Sequence, residues 1–367
     1  MNVTCFICSL SSGGAEHQMI ELTHLLQEKG YKITLATFAD IDDHYQMPDK
    51  VKRIRIGQGK SGLLKILDIF LFFISVKTDC IISFGQRENL LILVPLLLRP
   101  KIKVIAGERN LTYGKPTFIE WLLMKILYRR ANFIVSNSYA QANYIKNTVP
   151  HYADKVVTIT NYTDLSLYKC NAYTLHDILR IGIFSRYNSQ KNCKRFVEAV
   201  RLIKEKDKRP FIIEWYGNQY LKDKTSNRDF LSMQELVYHY GLEDVLLLKD
   251  HIKDVCSVME GLDAVCLPSL FVRSSSTNED CFVKSNAGHY TSILDVDSTN
   301  ETAIINAIDT VLKSYTLDID NIASAFIKFF ALKEKDCRQM SINSRKIAEE
   351  LFDAETFVNK YVDLLDR

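Results

Sequence analysis

Two positively charged side chains closely follow one apolar, β-rich run of the sequence. That run covers residues 180–184, Arg186 and Lys191 come directly after it, and a helical pattern starts at Asn192. Ligands of doubly wound α/β sheets bind at such strand-to-helix loops. A cation in the first turn opposes the helix dipole, which favours a bound anion there. On a diphosphate, two cations would neutralise a leaving group without a metal. The alternative is an exposed Arg and Lys without a ligand.

A second loop of this kind lies near the start of the chain. Gly13 and Gly14 stand between an apolar run at residues 3–10 and a helical pattern that Gly30 closes. Adjacent glycines let backbone amides approach a ligand closely, and the helix N-terminus behind them favours an anion. A phosphate-facing role and an ordinary turn are both open for this loop.

Other kinds of chemistry have weaker support. The segment 57–61 reads Gly-Gln-Gly-Lys-Ser, but Ile54 stands where a P-loop needs its first glycine. Cys5 and Cys8 have C-x-x-C spacing inside an apolar run, no second pair follows, and we interpret both as small buried hydrophobes. The motifs H-E-x-x-H and G-x-S-x-G are absent, and the eight histidines are spread out. The sequence therefore predicts no metal site.

Length and composition indicate a globular protein of about two domains. The chain has 367 residues, of which 47% are hydrophobic and 25% charged. Nine scattered cysteines, an odd number, favour a reducing compartment over a disulfide framework. The first ten residues carry no basic region, so we expect no signal peptide and a cytoplasmic location. The apolar runs at 69–76 and 90–98 are shorter than the roughly 20 residues that span a bilayer.

The basic charge is concentrated in one segment. Residues 51–150 contain 16 Lys and Arg against 5 Asp and Glu, although the formal net charge of the chain is only +3. This is either a solvated basic surface, or a face that attracts an anionic substrate or rests on anionic lipid. The two apolar runs lie in the same segment and favour the lipid. We therefore expect peripheral contact with the inner face of the cytoplasmic membrane, and no binding to nucleic acid.

Strand-like and helical patterns alternate along the chain, which predicts parallel sheets with helices on both faces. The first series of predicted strands is residues 3–10, 31–38, 80–84, 103–106 and 133–136, and the second is 180–184, 211–216, 245–249 and 264–268. A polar segment at 161–176 separates the two series. We predict an N-terminal domain at 1–168 and a C-terminal domain at 169–351. The last helix, about 352–367, is expected to pack back on the first domain.

Several short motifs along the chain have a shared order and spacing. They are residues 9–16, with the glycine loop; 107–110, Gly-Glu-Arg-Asn; 131–138, a strand ending in serine; 159–164, I-x-N-x-x-D; Arg186 with Lys191-Asn192; Asp254-Val255; Asp263 with 267–269, Leu-Pro-Ser; and Gly288. In this order they resemble the family 4 retaining glycosyltransferases. The similarity covers nearly the whole chain. It implies the GT-B fold, in which two Rossmann-like domains face each other across a cleft.

The resemblance also implies an activity and a set of site residues. The family transfers a sugar with retention from a nucleotide-diphosphate donor, here a UDP- or GDP-sugar, without a required metal or other cofactor. By this resemblance, Arg186 and Lys191 would hold the donor diphosphate, and the acceptor would be a glycan or a lipid-linked sugar. The other donor-side residues would be Gly13, Gly14, Gly217, Asn192, Ser269 and Leu270. The acceptor side would comprise Glu16, Glu108, Arg109 and Asn110.

One segment departs from the family pattern. After Phe271 the family has E-G-x-P and a Glu-x7-Glu motif, but residues 272–279 here read Val-Arg-Ser-Ser-Ser-Thr-Asn-Glu. The C-terminal domain is therefore shortened near 271–280. The absent carboxylates would accept hydrogen bonds from the sugar and ribose hydroxyls of the donor. Each such hydrogen bond to a charged group is worth about 1.5–3 kcal/mol.

Three functional hypotheses follow. The first is an active retaining glycosyltransferase that builds a cell-surface polysaccharide such as lipopolysaccharide or capsule. The second is a catalytically impaired GT-B scaffold that binds a partner, because the acidic motif is missing. The third is another doubly wound protein, such as an epimerase or a nucleotide-binding module, since a fold does not determine a function.

Overall fold

A computed structural model describes residues 1–109, 117–167, 176–188, 191–217, 224–252, 254–267 and 319–367. The chain divides into two compact units. Of the described residues, the first unit holds 1–164 and 350–367, and the second holds those between 165 and 349. The predicted boundary at 168 lies in the same polar segment as this division.

The first unit is built on a seven-stranded parallel sheet, sheet A. Its strands run in the order β3-β2-β1-β4-β5-β6-β7. Most of the strand residues are buried, as expected for parallel strands covered on both faces. The strands are β1 (Asn2–Phe6), β2 (Lys32–Thr37), β3 (Lys52–Arg55), β4 (Cys80–Phe84), β5 (Lys103–Glu108), β6 (Phe133–Ser136) and β7 (Val156–Thr158).

Helices cover both faces of sheet A. On one face, α1 (Gly14–Glu28) packs in a core with the C-terminal helix α11 (Ala354–Asp366). On the other face lie α2 (Gly62–Ser75), α3 (Gln86–Leu96), α4 (Phe118–Leu127) and α5 (Tyr139–Thr148), around a second core. The apolar runs noted at 69–76 and 90–98 therefore belong to helices α2 and α3.

The C-terminal helix α11 belongs to the first unit. Asp353 caps its start, because its carboxylate accepts a bond from the Thr356 amide at 2.7 Å. Phe357 and Tyr361 bury their rings in the core that α1 also lines. Three polar bonds attach the helix to strand β5 and the residue after it. Lys103 Nζ donates to the Leu364 and Leu365 carbonyls at 3.3 and 2.5 Å, and Arg109 donates to the Tyr361 hydroxyl at 2.6 Å.

The described residues of the second unit form a four-stranded parallel sheet, sheet B, in the order β10-β9-β8-β11. The strands are β8 (Leu179–Phe184), β9 (Phe211–Tyr216), β10 (Leu246–Lys249) and β11 (Ala264–Val265). The helices are α6 (Cys193–Lys206), α7 (Lys224–His239), α8 (Val255–Met259), α9 (Ile319–Phe330) and α10 (Glu334–Leu351). Helices α6, α7 and α9 pack on sheet B around the fully buried Trp215.

The position of Tyr361 predicts a large effect on stability. Replacing it by Ala (Tyr361→Ala) removes a fully buried ring and a hydrogen-bond acceptor of Arg109. Loss of a buried aromatic side chain typically costs about 3–5 kcal/mol. We expect the urea midpoint, followed by circular dichroism, to fall accordingly. The matched control is Lys360→Ala, an exposed neighbour on the same helix that should change the free energy of unfolding by less than about 0.5 kcal/mol. Equal midpoints for the two variants would contradict this packing.

Candidate active site

The strand order of sheet A reverses between β1 and β4. The chain leaves β1 through Gly13 into α1 and leaves β4 through Gly85 into α3. These two helices lie on opposite faces of the sheet, because α1 packs in one core and α3 in the other. Loops that diverge in this way leave a crevice at the carboxyl edge, where ligands of doubly wound sheets bind. The predicted residues Gly13, Gly14 and Glu16 lie together at this point.

A glycine precedes each of the two helices, and a glutamate at the third helical position folds back over it. A Cβ atom on Gly13 would collide with the carboxylate of Glu16, and one on Gly85 with the carboxylate of Glu88. Gly85 has φ +118°, a conformation that favours glycine. Burial raises the pKa of Glu88, and the charge of Glu16 raises it further. The crevice in sheet A is therefore bordered by two carboxylates.

Sequence reasoning missed Gly85 and Glu88. A signal for them was present: Gly85 follows a buried strand, and Glu88 follows it at the same distance as Glu16 follows Gly13. This repeated Gly-x-x-Glu pattern is short and contains no cation, so it is less conspicuous than the charged motifs elsewhere in the chain.

Glu108 belongs to a buried polar network next to this crevice. Its carboxylate accepts bonds from the Tyr128 hydroxyl and from Asn89 Nδ2, the latter at 3.0 Å. Ser83 Oγ in turn donates to Asn89 Oδ1 at 2.5 Å. Burial raises the pKa of Glu108 to about 7, and the two donated bonds oppose that rise. Glu108 can therefore hold or release a proton near neutral pH.

Arg109 lies at the end of β5 and is 4% exposed. Its guanidinium donates to Asn161 Oδ1 at 3.2 Å and to the Tyr361 hydroxyl, and it stacks 3.5 Å from the centroid of the Phe84 ring. Its Nε is buried without a hydrogen-bond partner. These contacts connect the residue after β5 with helix α11 and with Asn161, in the segment that follows β7. Its acceptor role remains a prediction, and the predicted acceptor residue Asn110 lies outside the described residues.

Sheet B has its own switch point, between β8 and β11. The loop after β8 contains Arg186 and Lys191, so the structure brings the two predicted cations to the carboxyl edge at this point. On the other side of the switch point, β11 leads through Cys266 and Leu267 toward Ser269 and Leu270. Ser269, Leu270 and the segment 271–280, which the sequence predicts to be shortened, lie outside the described residues.

One buried tyrosine holds the loop that carries Arg186. The Tyr187 hydroxyl shares its one proton between the carbonyls of Trp215 and Lys249, near the ends of β9 and β10. Its neighbour Arg186 is exposed. The Lys191 amide donates to the Asn188 carbonyl at 3.0 Å, and Asn192 closes the loop in a left-handed conformation with φ 57°. The anchored loop thus presents a solvent-accessible cation just before helix α6.

Gly217 contacts this loop from the end of β9. A Cβ atom there would lie 2.5 Å from the Ser185 carbonyl oxygen and 2.8 Å from the Tyr187 ring. Only glycine permits this approach without a shift of the loop. The structure therefore brings together four predicted donor-side residues: Arg186, Lys191, Asn192 and Gly217.

Two features are absent from the described residues. None of the helices in the described ranges is both long enough and apolar enough to cross a membrane. Within the same ranges, no group of three or more His, Cys, Asp or Glu side chains is arranged to bind a metal ion.

The chain has a distant relative of similar length among characterised proteins, although no protein-family model matches it. It is 22% identical, over 94% of its length and 93% of the relative's, to GalNAc-alpha-(1->4)-GalNAc-alpha-(1->3)-diNAcBac-PP-undecaprenol alpha-1,4-N-acetyl-D-galactosaminyltransferase of Campylobacter jejuni.

Solved structures of other proteins match this chain over its whole length. HepE of Anabaena, in a crystal structure with UDP and glucose, matches 100% of this chain and 99% of its own with a TM-score of 0.74 at 13% identity. A mutant of TarM of Staphylococcus aureus, with Fondaparinux, alpha-GlcNAc-glycerol and UDP, matches 100% of both chains with a TM-score of 0.65 at 11% identity. The fold is GT-B. The predicted fold class is thus confirmed, and the chain is similar over nearly its whole length to a glycosyltransferase.

The close approach at Gly217 predicts that alanine is not tolerated there. Gly217→Ala must displace the Ser185 carbonyl or the Tyr187 ring, and we expect a loss of about 1–3 kcal/mol, as for other overpacked sites. Thermal unfolding of the purified variant measures this. Gly261→Ala is the matched control in the same unit, because its nearest neighbour atom is 3.6 Å away and its φ is not positive. If both variants unfold at the same temperature as the wild type, Gly217 is not packed against the loop as described.

The raised pKa of Glu108 predicts a pH dependence of stability. The folded state binds this proton up to about pH 7, whereas the reference pKa of Glu is 4.5. The stability that Glu108 contributes is therefore complete below about pH 4.5 and is lost as the pH rises to 7, by roughly 3 kcal/mol. Glu108→Gln keeps an acceptor for Tyr128 and should lack this decline. Urea midpoints of wild type and variant between pH 4.5 and 8 test it; parallel curves would show that Glu108 titrates normally.

Proposed function

We propose that the protein is a retaining glycosyltransferase that takes a sugar from a nucleoside-diphosphate donor and adds it to a lipid-linked glycan. The observation that carries the proposal is the loop after β8, in which Arg186 and Lys191 stand at the switch point of sheet B. The full-length similarity to GT-B glycosyltransferases supports the reaction class.

The donor would bind through its diphosphate. Arg186 is exposed on a loop that Tyr187 holds in place, and Lys191 and the N-cap residue Asn192 directly precede helix α6. In this position two cations offset the charge that develops on a departing nucleoside diphosphate, so no metal is needed. UDP is the nucleotide in the HepE and TarM complexes, which favours UDP over GDP as the donor nucleotide.

The acceptor would carry a lipid diphosphate. The Campylobacter relative is named for an undecaprenyl-diphosphate glycan, and the excess of Lys and Arg in residues 51–150 is suited to an anionic acceptor at a membrane surface. Such acceptors are intermediates of cell-surface polysaccharides, so we assign the protein to their synthesis. We also infer that Glu16 and Glu88, at the switch point of sheet A, accept hydrogen bonds from acceptor hydroxyls.

A titration with UDP and GDP tests the donor loop. Loss of one charge-assisted hydrogen bond costs about 1.5–3 kcal/mol, so Arg186→Ala and Lys191→Ala should each weaken UDP binding about 10- to 100-fold in calorimetry. Lys194→Ala is the matched control, because Lys194 is an exposed cation on helix α6, which follows this loop. The Lys194→Ala variant should bind UDP with the affinity of the wild type.

The outcomes separate the competing functions. Absence of nucleotide binding by the wild-type protein would overturn the proposal. Binding without transfer from any UDP-sugar to a lipid-diphosphate acceptor would favour a non-catalytic scaffold instead. Where transfer occurs, the anomeric configuration of the product, read by NMR, tests retention.

A further inference from the structure

Exposed apolar side chains are concentrated on three neighbouring helices of the first unit. Of the 22 large hydrophobic residues that are exposed in the described part of the chain, 13 lie between residues 63 and 126. They are Leu63, Leu64, Ile66, Leu67 and Leu71 on α2; Val94, Leu97 and Leu98 on and directly after α3; and Phe118, Ile119, Leu122, Leu123 and Ile126 on α4. We call this surface the α2–α4 apolar face.

Helix α2 shows how unusual this surface is. Its inner side supplies Ile69 and Phe73 to the core, yet its outer side is also apolar, with Leu63 83% exposed and Leu67 51% exposed. A helix that is apolar all round is normally buried in a protein core or in lipid. Soluble monomers rarely expose large contiguous apolar patches. The outer side of α2 is therefore suited to contact with a further apolar phase.

The two charged side chains of α2 are neutralised by partners. Lys65 pairs with Asp40 at 2.9 Å, and Asp68 pairs with Lys60 at 2.7 Å. These pairs draw the charges of α2 toward its flanking loops. The exposed leucines are consequently not interrupted by an unpaired charge on this helix.

Cations border the α2–α4 apolar face. Lys77 follows α2, Arg87 stands in the first turn of α3, Lys101 follows α3, and Lys125 and Arg129 lie on and after α4; all five are exposed. Two acids are near these cations: Glu120 accepts a bond from the amide of the N-cap residue Thr117, and Asp79 accepts one from the Asn2 amide. An apolar centre with a cationic border complements a bilayer whose headgroups are anionic.

Helix α4 adds an aromatic residue typical of membrane interfaces. Trp121 is half-buried, and the Lys125 ammonium lies 4.8 Å from its ring centroid. Tryptophan is enriched at the level of lipid headgroups, where its ring is partly wet and partly apolar. Lysine beside it can extend its charge to the phosphates while its stem remains on apolar surface.

We propose that the α2–α4 apolar face inserts into the surface of an anionic lipid bilayer. In this arrangement the three helices lie along the interface, with their exposed apolar side chains toward the lipid. A second copy is disfavoured as the occupant, since it would bring two cationic borders together. The inference deepens the proposed function, on which it rests for its purpose: a lipid-linked acceptor is presented at this same surface.

Vesicle flotation tests the docking surface directly. We expect the wild type to float with vesicles of phosphatidylcholine and phosphatidylglycerol, and to bind pure phosphatidylcholine more weakly. The double variant Leu67→Glu, Ile119→Glu should lose binding more than tenfold, because it places charges where apolar atoms meet lipid. The matched control is Leu231→Glu, Tyr238→Glu, on exposed positions of α7 in the second unit. It should float like the wild type.

A charge variant separates the electrostatic contribution. Lys77→Ala and Lys125→Ala should each reduce affinity for the anionic vesicles about fivefold and leave binding to pure phosphatidylcholine unchanged. Lys333→Ala, an exposed lysine of the second unit, is the control. Circular dichroism and UDP titration of every variant show whether it is folded, and they separate a failure of docking from a failure of the donor site.

Two results would overturn the proposal. One is a folded wild type that does not float with anionic vesicles. The other is a double variant that floats normally but loses a dimer seen by analytical ultracentrifugation, which would assign the α2–α4 apolar face to a second copy of the chain.

Discussion

The candidate site depends on one topological constraint, the reversal of strand order in each parallel sheet. Successive parallel strands are joined by right-handed crossovers, so a reversal sends consecutive helices to opposite faces of the sheet. In sheet A this separates α1 from α3 and opens a crevice above β1 and β4. In sheet B the reversal lies between β8 and β11 and brings the loop of Arg186 and Lys191 to the edge. Residues that are distant in sequence become site residues because the strands that carry them end at the same place.

Glycines and buried polar bonds then determine the detail at these edges. Gly217 permits the Ser185 carbonyl to approach, and Tyr187 ties the same loop to two strands. In the first unit, Glu108 and Arg109 are almost completely buried, and burial of a charge is costly unless hydrogen bonds compensate for it. Tyr128 and Asn89 donate hydrogen bonds to Glu108, and the Tyr361 hydroxyl of the C-terminal helix accepts one from Arg109. The last helix is thereby part of the framework that supports the candidate acceptor side.

Much of the fold could be predicted because parallel strands buried on both faces are near-continuous apolar runs. The strands at Cys80–Phe84, Phe133–Ser136 and Phe211–Tyr216 have the predicted bounds. Strands β3 and β7 were missed for a physical reason: both are edge strands, β3 reads Lys-Arg-Ile-Arg, and β7 has three residues. An edge strand has one pairing partner and need not be apolar, so its pattern resembles that of a loop.

The sequence by itself determined the α/β class, the order of the elements other than β3 and β7, and the two loops that carry Gly13-Gly14 and Arg186-Lys191. Hydrophobic periodicity and glycine placement are local properties. The tertiary structure alone decided which loops share an edge, that Gly85 and Glu88 join Gly13 and Glu16, and that Arg109 is buried against Tyr361. It also decided that the apolar runs of residues 69–76 and 90–98 are helices whose outer sides remain uncovered. Strand pairing and burial depend on contacts between residues far apart in the chain, and a local pattern carries no information about those contacts.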